Sequence, residues 1–438
     1  MSEAFWISLG VLLVLYGAVV YRQLSGRGPE VAYLFLGAAL LLVALGVIGP
    51  VPALLAVSLP VLTLLFGMFV FVIALDRAGA LSHLARWMAS RARRPGDLPL
   101  YLFLGLGLLS TFVLNDAIAI LGVPLVLALA RRLRVEPVPL LLTLAYAVTV
   151  GSVLTPLGNP QNLLVAVGSG MHDPMGSFVL YLALPTAVNL LLGAVLLRRW
   201  LGPRLANAQH PEPWNPEPLP LFPRGGWGRR LREHPSILLF PATLVTLLTF
   251  SFGNDLGLLP NVPIYEFILA GALLVLALEP GREKVLQKVD YLTLGLFVGL
   301  FIVMAAMVDG GVVSALASGF SFTRPVAGHP TFGGLGSFMF GTVGAVQIFS
   351  NVPWVALSVP LLQAQGYGPG NLLPWLSLAA ASTLGGNLTF LGAASNLIIV
   401  NQAERAGFRL RLGEFVRYGA PLTLLTVTTT LVLLYFRL

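Results

Sequence analysis

The sequence predicts an all-α integral membrane protein of two inverted-topology repeats. Each repeat has five transmembrane helices and one re-entrant hairpin, about ten spans and two hairpins in all. Three observations predict it: composition, the placement of arginine, and an internal repeat. The chain has 438 residues, 57% hydrophobic and 10% charged, with a mean hydropathy of +0.86. A soluble domain carries about 25% charged residues. A protein core does not absorb this much apolar surface, whereas a bilayer does. Cysteine is absent, which excludes disulfides and thiolate metal sites. His83, His172, His210, His234 and His329 are scattered without ligand spacing.

Taken in order, Ala4–Val20 is apolar, with no basic stretch before it and no small-residue cleavage site, and reads as a first membrane helix rather than a signal peptide. Apolar segments long enough to span follow at 31–48, 54–75, 139–170, 177–197, 236–253, 264–279, 290–308, 372–403 and 416–436. Two more apolar regions, 99–132 and 334–365, have polar tips, Leu114-Asn115-Asp116 and Ser350-Asn351-Val352. Their centres are too polar for plain spans, so each is read as a re-entrant hairpin, backbone tolerated at membrane depth only where protein or a cavity surrounds it. Residues 79–94 alternate apolar and basic at helical spacing and fit an interfacial helix; a matching stretch follows Asp309. Residues 201–235 carry Pro203, Pro211, Pro213, Pro216, Pro218, Pro220 and Pro223 and form a linker. The chain therefore divides into a first repeat (1–200), the linker (201–235) and a second repeat (236–438). Trp6, Tyr265, Tyr291, Trp375 and Tyr435 lie near segment ends, as interface anchors do.

Arginine and lysine fix the expected orientation. With the N-terminus outside and the hairpins returning to their side of entry, the inward segments hold 24 of the 26 basic residues; Arg324 and Arg437 are the two outside. This places both termini outside and the linker in the cytoplasm, in an inner (plasma) membrane. The net charge of +8 is then topology charge facing anionic lipid, with no nucleic acid required.

The repeat shows in the motifs. Asn115 precedes Pro124 by nine residues, and Asn351 precedes Pro360 by nine. The segment from Gly151 through Thr155, Gly158 and Asn162 aligns without a gap with that from Gly385 through Thr389, Gly392 and Asn396. Asp76 pairs with Asp309. Pro156, Gly158 and Pro160 interrupt 139–170, and Gly385, Gly386 and Gly392 interrupt 372–403, which frees backbone groups. Asn162 and Asn396 fall where a second half-helix would begin, and Asn115 and Asn351 precede the second hairpin arms; Asn is a favoured N-cap. Four helix N-termini should therefore converge near the midplane and favour oxygen-bearing or anionic ligands, with unwound carbonyls beside them able to hold a cation.

The candidate substrate- and ion-binding residues are Asn115, Asp116, Thr155, Asn159, Asn162, Ser350, Asn351, Thr389, Ser395 and Asn396. A sodium ion is a candidate ligand of Asn115, Asp116, Gly158 and Asn162. Asp116 is the single acidic residue expected near the bilayer centre, where a charge costs about 2.5–3.5 kcal/mol on the insertion scale. It is read as a carrier of the coupling proton or cation, with hairpin capping as the plainer alternative. No Arg or Lys lies in the Asn motifs, so a permanently charged clamp for a dicarboxylate is absent there.

These motifs resemble those of the ion transporter superfamily, in the branch of arsenite and silicon efflux permeases and NhaD-type antiporters with citrate-transporter-like domains. The resemblance covers nearly the whole chain. It implies a homodimer, a scaffold plus a transport domain, and elevator-type alternating access driven by an ion gradient. The divalent-anion/sodium symporters of that superfamily carry Ser-Asn-Thr at both tips, whereas this chain has Leu114-Asn115-Asp116 and Ser350-Asn351-Val352.

The expected function is ion-coupled secondary transport of a small inorganic or organic oxyanion or its neutral acid, coupled to H⁺ or Na⁺ without any cofactor. The alternative is a sodium/proton antiporter. An enzyme is not expected, because His-Glu-x-x-His, Gly-x-Ser-x-Gly and phosphate-loop signatures are missing. A channel would share the same architecture.

Overall fold

The computed structural model describes residues 2–25, 28–206, 231–319 and 330–438, and every regular element among them is helical. The first repeat comprises α1 (Glu3–Ser25), α2 (Val31–Ala44), α3 (Pro50–Ala56), α4 (Leu59–Arg77), α5 (Ala80–Ala89), α6 (Leu98–Ser110), α7 (Asn115–Leu133), α8 (Pro137–Gly151), α9 (Pro160–Gly168) and α10 (Pro174–Ala206). The second comprises α11 (Ser236–Asp255), α12 (Ile264–Leu278), α13 (Arg282–Gln287), α14 (Tyr291–Asp309), α15 (Val312–Gly319), α16 (Phe332–Phe349), α17 (Asn351–Ala364), α18 (Leu372–Gly385), α19 (Ala394–Arg405) and α20 (Leu412–Tyr435). The two halves run through the same order of elements. The α6–α7 and α16–α17 pairs are hairpins, and α8–α9 and α18–α19 are broken spans. A hairpin returns to its own side, so five crossings carry the chain to the opposite face and the second repeat enters inverted.

Packing ties the repeats together reciprocally. α4 lies along α12 and α14 along α2; α7 lies on α19 and α17 on α9; α10 pairs with α20. The first hairpin arms α6 and α16 pack on the broken spans of their own repeats, α8 and α18. Seven helices, α1, α4, α10, α11, α14, α16 and α20, are long and apolar enough to cross a bilayer unaided. α2, α6, α8, α12 and α18 are shorter and apolar. The α8 and α18 interiors are buried almost throughout, so these broken spans sit at the centre of the molecule.

Some boundaries differ from the sequence reading. The expected span 54–75 is two helices, because Pro60 lacks the N–H that would bond the Ala56 carbonyl and carry α3 into α4. The 201–235 linker begins later than expected, since α10 continues through Pro203 to Ala206. Residues 207–230, with His210 and the linker prolines from Pro211 to Pro223, lie outside the described residues, as do Arg27, Arg324 and His329. Trp375 is no interface anchor: it is fully buried in α18, and its indole N–H donates to the Gly368 carbonyl at 3.1 Å. Trp6 and Tyr291 are exposed, as anchors must be. The interfacial stretch 79–94 forms α5, with Arg91 over the Trp87 ring, and its counterpart after Asp309 is α15.

Candidate functional site

The breaks in α8–α9 and α18–α19 build the site. Pro160 opens α9, and Asn159 before it is extended, its Oδ1 accepting the Asn162 N–H at 2.8 Å. Asn159, not Asn162, is therefore the cap; Asn162 is the third residue of α9, because Pro at the first position starts the helix two residues earlier than expected. Asn162 staples the break instead. Its Nδ2 donates to the carbonyls of Ser152 (2.9 Å), Val153 (3.2 Å) and Thr155 (3.1 Å), and its Oδ1 accepts from the Thr383 hydroxyl at 3.1 Å. The Asn159 Nδ2 reaches the Ser152 carbonyl and hydroxyl and the Thr383 hydroxyl at 3.0, 3.1 and 3.2 Å. Thr383 of α18 thus joins the repeats across the break.

In the second repeat, Asn396 repeats one of these bonds, its Nδ2 donating to Gly386 at 2.7 Å. The position of Asn159 is held by Ala393, which supplies no cap. The Asn396 Oδ1 is fully buried and has no hydrogen-bond partner among the described residues.

Asn115 and Asn351 are the first residues of α7 and α17 rather than residues preceding them. Each Oδ1 accepts the next N–H, that of Asp116 at 2.8 Å and of Val352 at 2.9 Å. The Asn115 N–H donates to Gly158 at 2.8 Å, and its Nδ2 reaches the Ser395 hydroxyl in the other repeat at 3.4 Å. Thr155 donates to the Thr111 carbonyl, and Thr389 to the Gln347 Oε1 at 2.8 Å. The predicted sodium ligands are largely committed to protein partners, because Gly158 serves Asn115 and the Asn162 Oδ1 serves Thr383. Among the described residues no cluster of three or more His, Asp or Glu could hold a metal.

These N-termini meet at a cavity of ≈ 490 Å³. Asp116, Pro160, Asn351 and Ala394 all line it, so the first turns of α7, α9, α17 and α19 share one space, as the sequence predicts. Of the candidate residues, Asp116, Ser350 and Asn351 reach the cavity, while Asn115, Thr155, Asn159, Asn162, Thr389, Ser395 and Asn396 stand behind it. Asp116 is half-buried, with the Ser395 backbone N–H facing its carboxylate. The opposite wall belongs to α1, the start of α2 and the start of α14, which contribute Arg22, Glu30 and Asp290. Gln402 and Arg405 border it from α19. Sequence reading placed Arg22 and Arg405 only as inward-facing charge, and it passed over Asp290, Gln402 and Gln347, which carry no repeat signature. Asp290 caps α14, accepting from the Thr293 N–H at 3.0 Å and hydroxyl at 2.6 Å. Tyr16 of α1 donates to the Pro353 carbonyl at 3.0 Å, a contact between the α1 wall and the second hairpin tip.

Inverted repeats, two hairpins and two broken spans around one shared cavity define a membrane transporter, not an enzyme. The chain belongs to the citrate transporter family (CitMHS) of the ion transporter superfamily, whose profile matches residues 24–385. Among its relatives, an uncharacterised transporter of Mycobacterium tuberculosis is 29% identical over 386 residues, covering 86% of each chain. The silicon efflux transporter LSI3 of Oryza sativa subsp. japonica is 26% identical over 462 residues, covering 90% of this chain and 92% of that one. The solved structure of the Alcanivorax borkumensis YdaH transporter has a TM-score of 0.60 at 16% identity, covering 99% of this chain and 98% of that one. The Neisseria gonorrhoeae MtrF structure has a TM-score of 0.57 at 15% identity, covering 99% and 94%. At these identities the two structures speak to the fold alone.

Proposed function

We propose that this protein is an ion-coupled secondary transporter of a small oxyanion or its neutral acid, and that the four half-helix N-termini hold the substrate. The observation that carries this reading is that Asp116, Pro160, Asn351 and Ala394, one from each half-helix, line a single cavity. Helix N-termini offer free N–H groups and partial positive charge to oxygen ligands without a fixed cation at the tips. Asp116 carries the coupling proton or cation. The family's description as a citrate transporter and the relative that exports silicon both support an oxygen-rich substrate. The hairpins and broken spans move as one body against α1–α4 and α11–α14, in an elevator motion within a homodimer. Both termini face outward, and the cavity rim that carries Arg22 and Arg405 faces the cytoplasm.

Transport in proteoliposomes decides the matter. Silicic acid, arsenite and citrate are offered with an imposed proton or sodium gradient. Asp116→Asn is expected to abolish gradient-driven accumulation while the protein still folds. Accumulation that persists in Asp116→Asn, or after every ion gradient is collapsed, overturns the coupling role. The second reading, a sodium/proton antiporter, draws on the unpartnered Asn396 Oδ1 close to Ser395 and the hairpin tip. Sodium-driven proton movement in everted vesicles with none of the three solutes present separates the two.

A further inference from the structure

We propose that Gln347 is a positioning residue for the second hairpin tip, and that this tip is the adjustable half of the site while the first is fixed. The inference rests on the transport reading only in what the tip is for; the mechanical part stands on the contacts below.

The two repeats attach their hairpin tips differently. In the first, Gly151 of α8 meets Gly107 of α6 so closely that a Cβ on Gly151 would lie 1.8 Å from the Gly107 carbonyl oxygen. The backbones touch, the Thr111 hydroxyl donates to the Gly151 carbonyl at 3.3 Å, Thr155 donates to the Thr111 carbonyl, and a backbone bond is added: the Asn115 N–H donates to the Gly158 carbonyl at 2.8 Å. In the second repeat the residue equivalent to Gly107 is Val343. A Cβ on Gly385 would meet Val343 Cα at 3.1 Å and Val346 Cγ2 at 2.9 Å, so α16 stands further off α18. Among the described residues no hydrogen bond equivalent to that from the Asn115 N–H is present at Asn351.

Gln347 fills this gap. It lies four residues before Asn351, as Thr111 lies four before Asn115. Its Nε2 amide donates one hydrogen bond to the Gly385 carbonyl and one to the Val343 carbonyl, each at 2.8 Å, and its Oε1 accepts from the Thr389 hydroxyl at 2.8 Å. A Cβ on Gly392 would come within 2.8 Å of the Gln347 Oε1, so the glycine leaves the room the amide occupies. One turn later the chain enters Ser350 at φ 65, a conformation that L side chains rarely adopt and that surrounding contacts must enforce. The first tip has no such residue, Leu114 being at φ −48. A strained tip held through side chains opens more readily than an unstrained tip that a backbone hydrogen bond also secures.

Hydrogen–deuterium exchange of the purified full chain tests this without any ligand. Gln347→Met keeps volume and removes both donors. It is expected to speed exchange of the 350–356 amides about tenfold, the effect of losing one hydrogen bond closed to water. Thr389→Val should act likewise, and Thr389→Ser should restore the wild-type rate. Thr111→Ala, which removes the corresponding hydroxyl bonds to Gly107 and Gly151, should loosen the 114–120 amides far less, because the Asn115–Gly158 backbone bond remains. Should Gln347→Met fail to fold, Gln347→Leu, which likewise removes both donors, gives the same reading. Unchanged exchange at 350–356 in a folded Gln347 variant, or equal loosening of both tips, overturns the proposal. In proteoliposomes, Gln347→Met should raise the half-saturation for silicic acid or arsenite with little loss of maximal rate. If exchange responds but wild-type protein moves neither solute, the substrate reading fails and the positioning role stands.

Discussion

Ser350 is where local cost and function meet. At φ 65 and ψ 161 it occupies a region that is essentially reserved for glycine and costs on the order of 1–3 kcal/mol. Ser350→Gly is expected to raise the melting temperature, a net gain of about 1 kcal/mol after the added freedom of the unfolded chain. It should also weaken ligand retention, since the hydroxyl at the cavity wall is lost. Ser350→Ala loses the hydroxyl without relieving the backbone, so thermal denaturation of the pair isolates the strain. Arg405 borders the same cavity and is exposed. If the substrate enters as an anion, Arg405→Gln should raise its half-saturation roughly two- to tenfold at low salt and less at high salt. A neutral acid should be indifferent, so uptake at two ionic strengths reports the charged state. The sequence marked Ser350 as a candidate ligand but not its strain, which is a backbone angle, and Arg405 is one of many inward-facing arginines.

The broken spans depend on how closely helices approach. Gly151 and Gly107 allow α8 and α6 to touch, and no side chain there can yield. Gly151→Ala is expected to destabilise the protein by about 1–3 kcal/mol or more through overpacking, read as a lower melting temperature in detergent. Gly385→Ala should be milder, because its nearest neighbour is the Val346 methyl, which can rotate. The repeat motif made these glycines visible as equivalents. It did not show that one meets backbone and the other a side chain, since that difference comes from residue 343 on another helix. Helix capping shows the same limit. All four Asn were legible as polar punctuation, yet the α9 cap fell to Asn159 because Pro160 fixes where the helix starts.

Across the whole molecule, the cavity end of α9 is open while its other end is latched. Just beyond α9, Asp173 accepts from the Ser251 hydroxyl of α11 at 2.5 Å, and the His172 carbonyl accepts from Asn261 Nδ2 at 3.2 Å. α9 spans nine residues, so latch and cavity are about 13 Å apart along it at 1.5 Å per residue. A body that slides against α11 must break this latch on each cycle. The absence of cysteine makes the test clean: with Asp173→Cys and Ser251→Cys together, oxidation should arrest uptake and reduction should restore it. Uptake at the full rate in the cross-linked protein would show that this contact never opens.

The sequence by itself determined the membrane class, the two repeats, the hairpin and break positions and the convergence of four N-termini. These follow from hydropathy, charge placement and motif spacing, which are local properties read along one chain. Only the tertiary structure decided which polar groups face the cavity and which are spent holding the breaks together. It also decided that α1 and α14 supply the opposite wall, and that Gln347 rather than a backbone bond secures the second tip. Those outcomes are set by the distance between helices far apart in sequence, and a single valine at 343 is enough to change that distance while leaving the repeat motif intact.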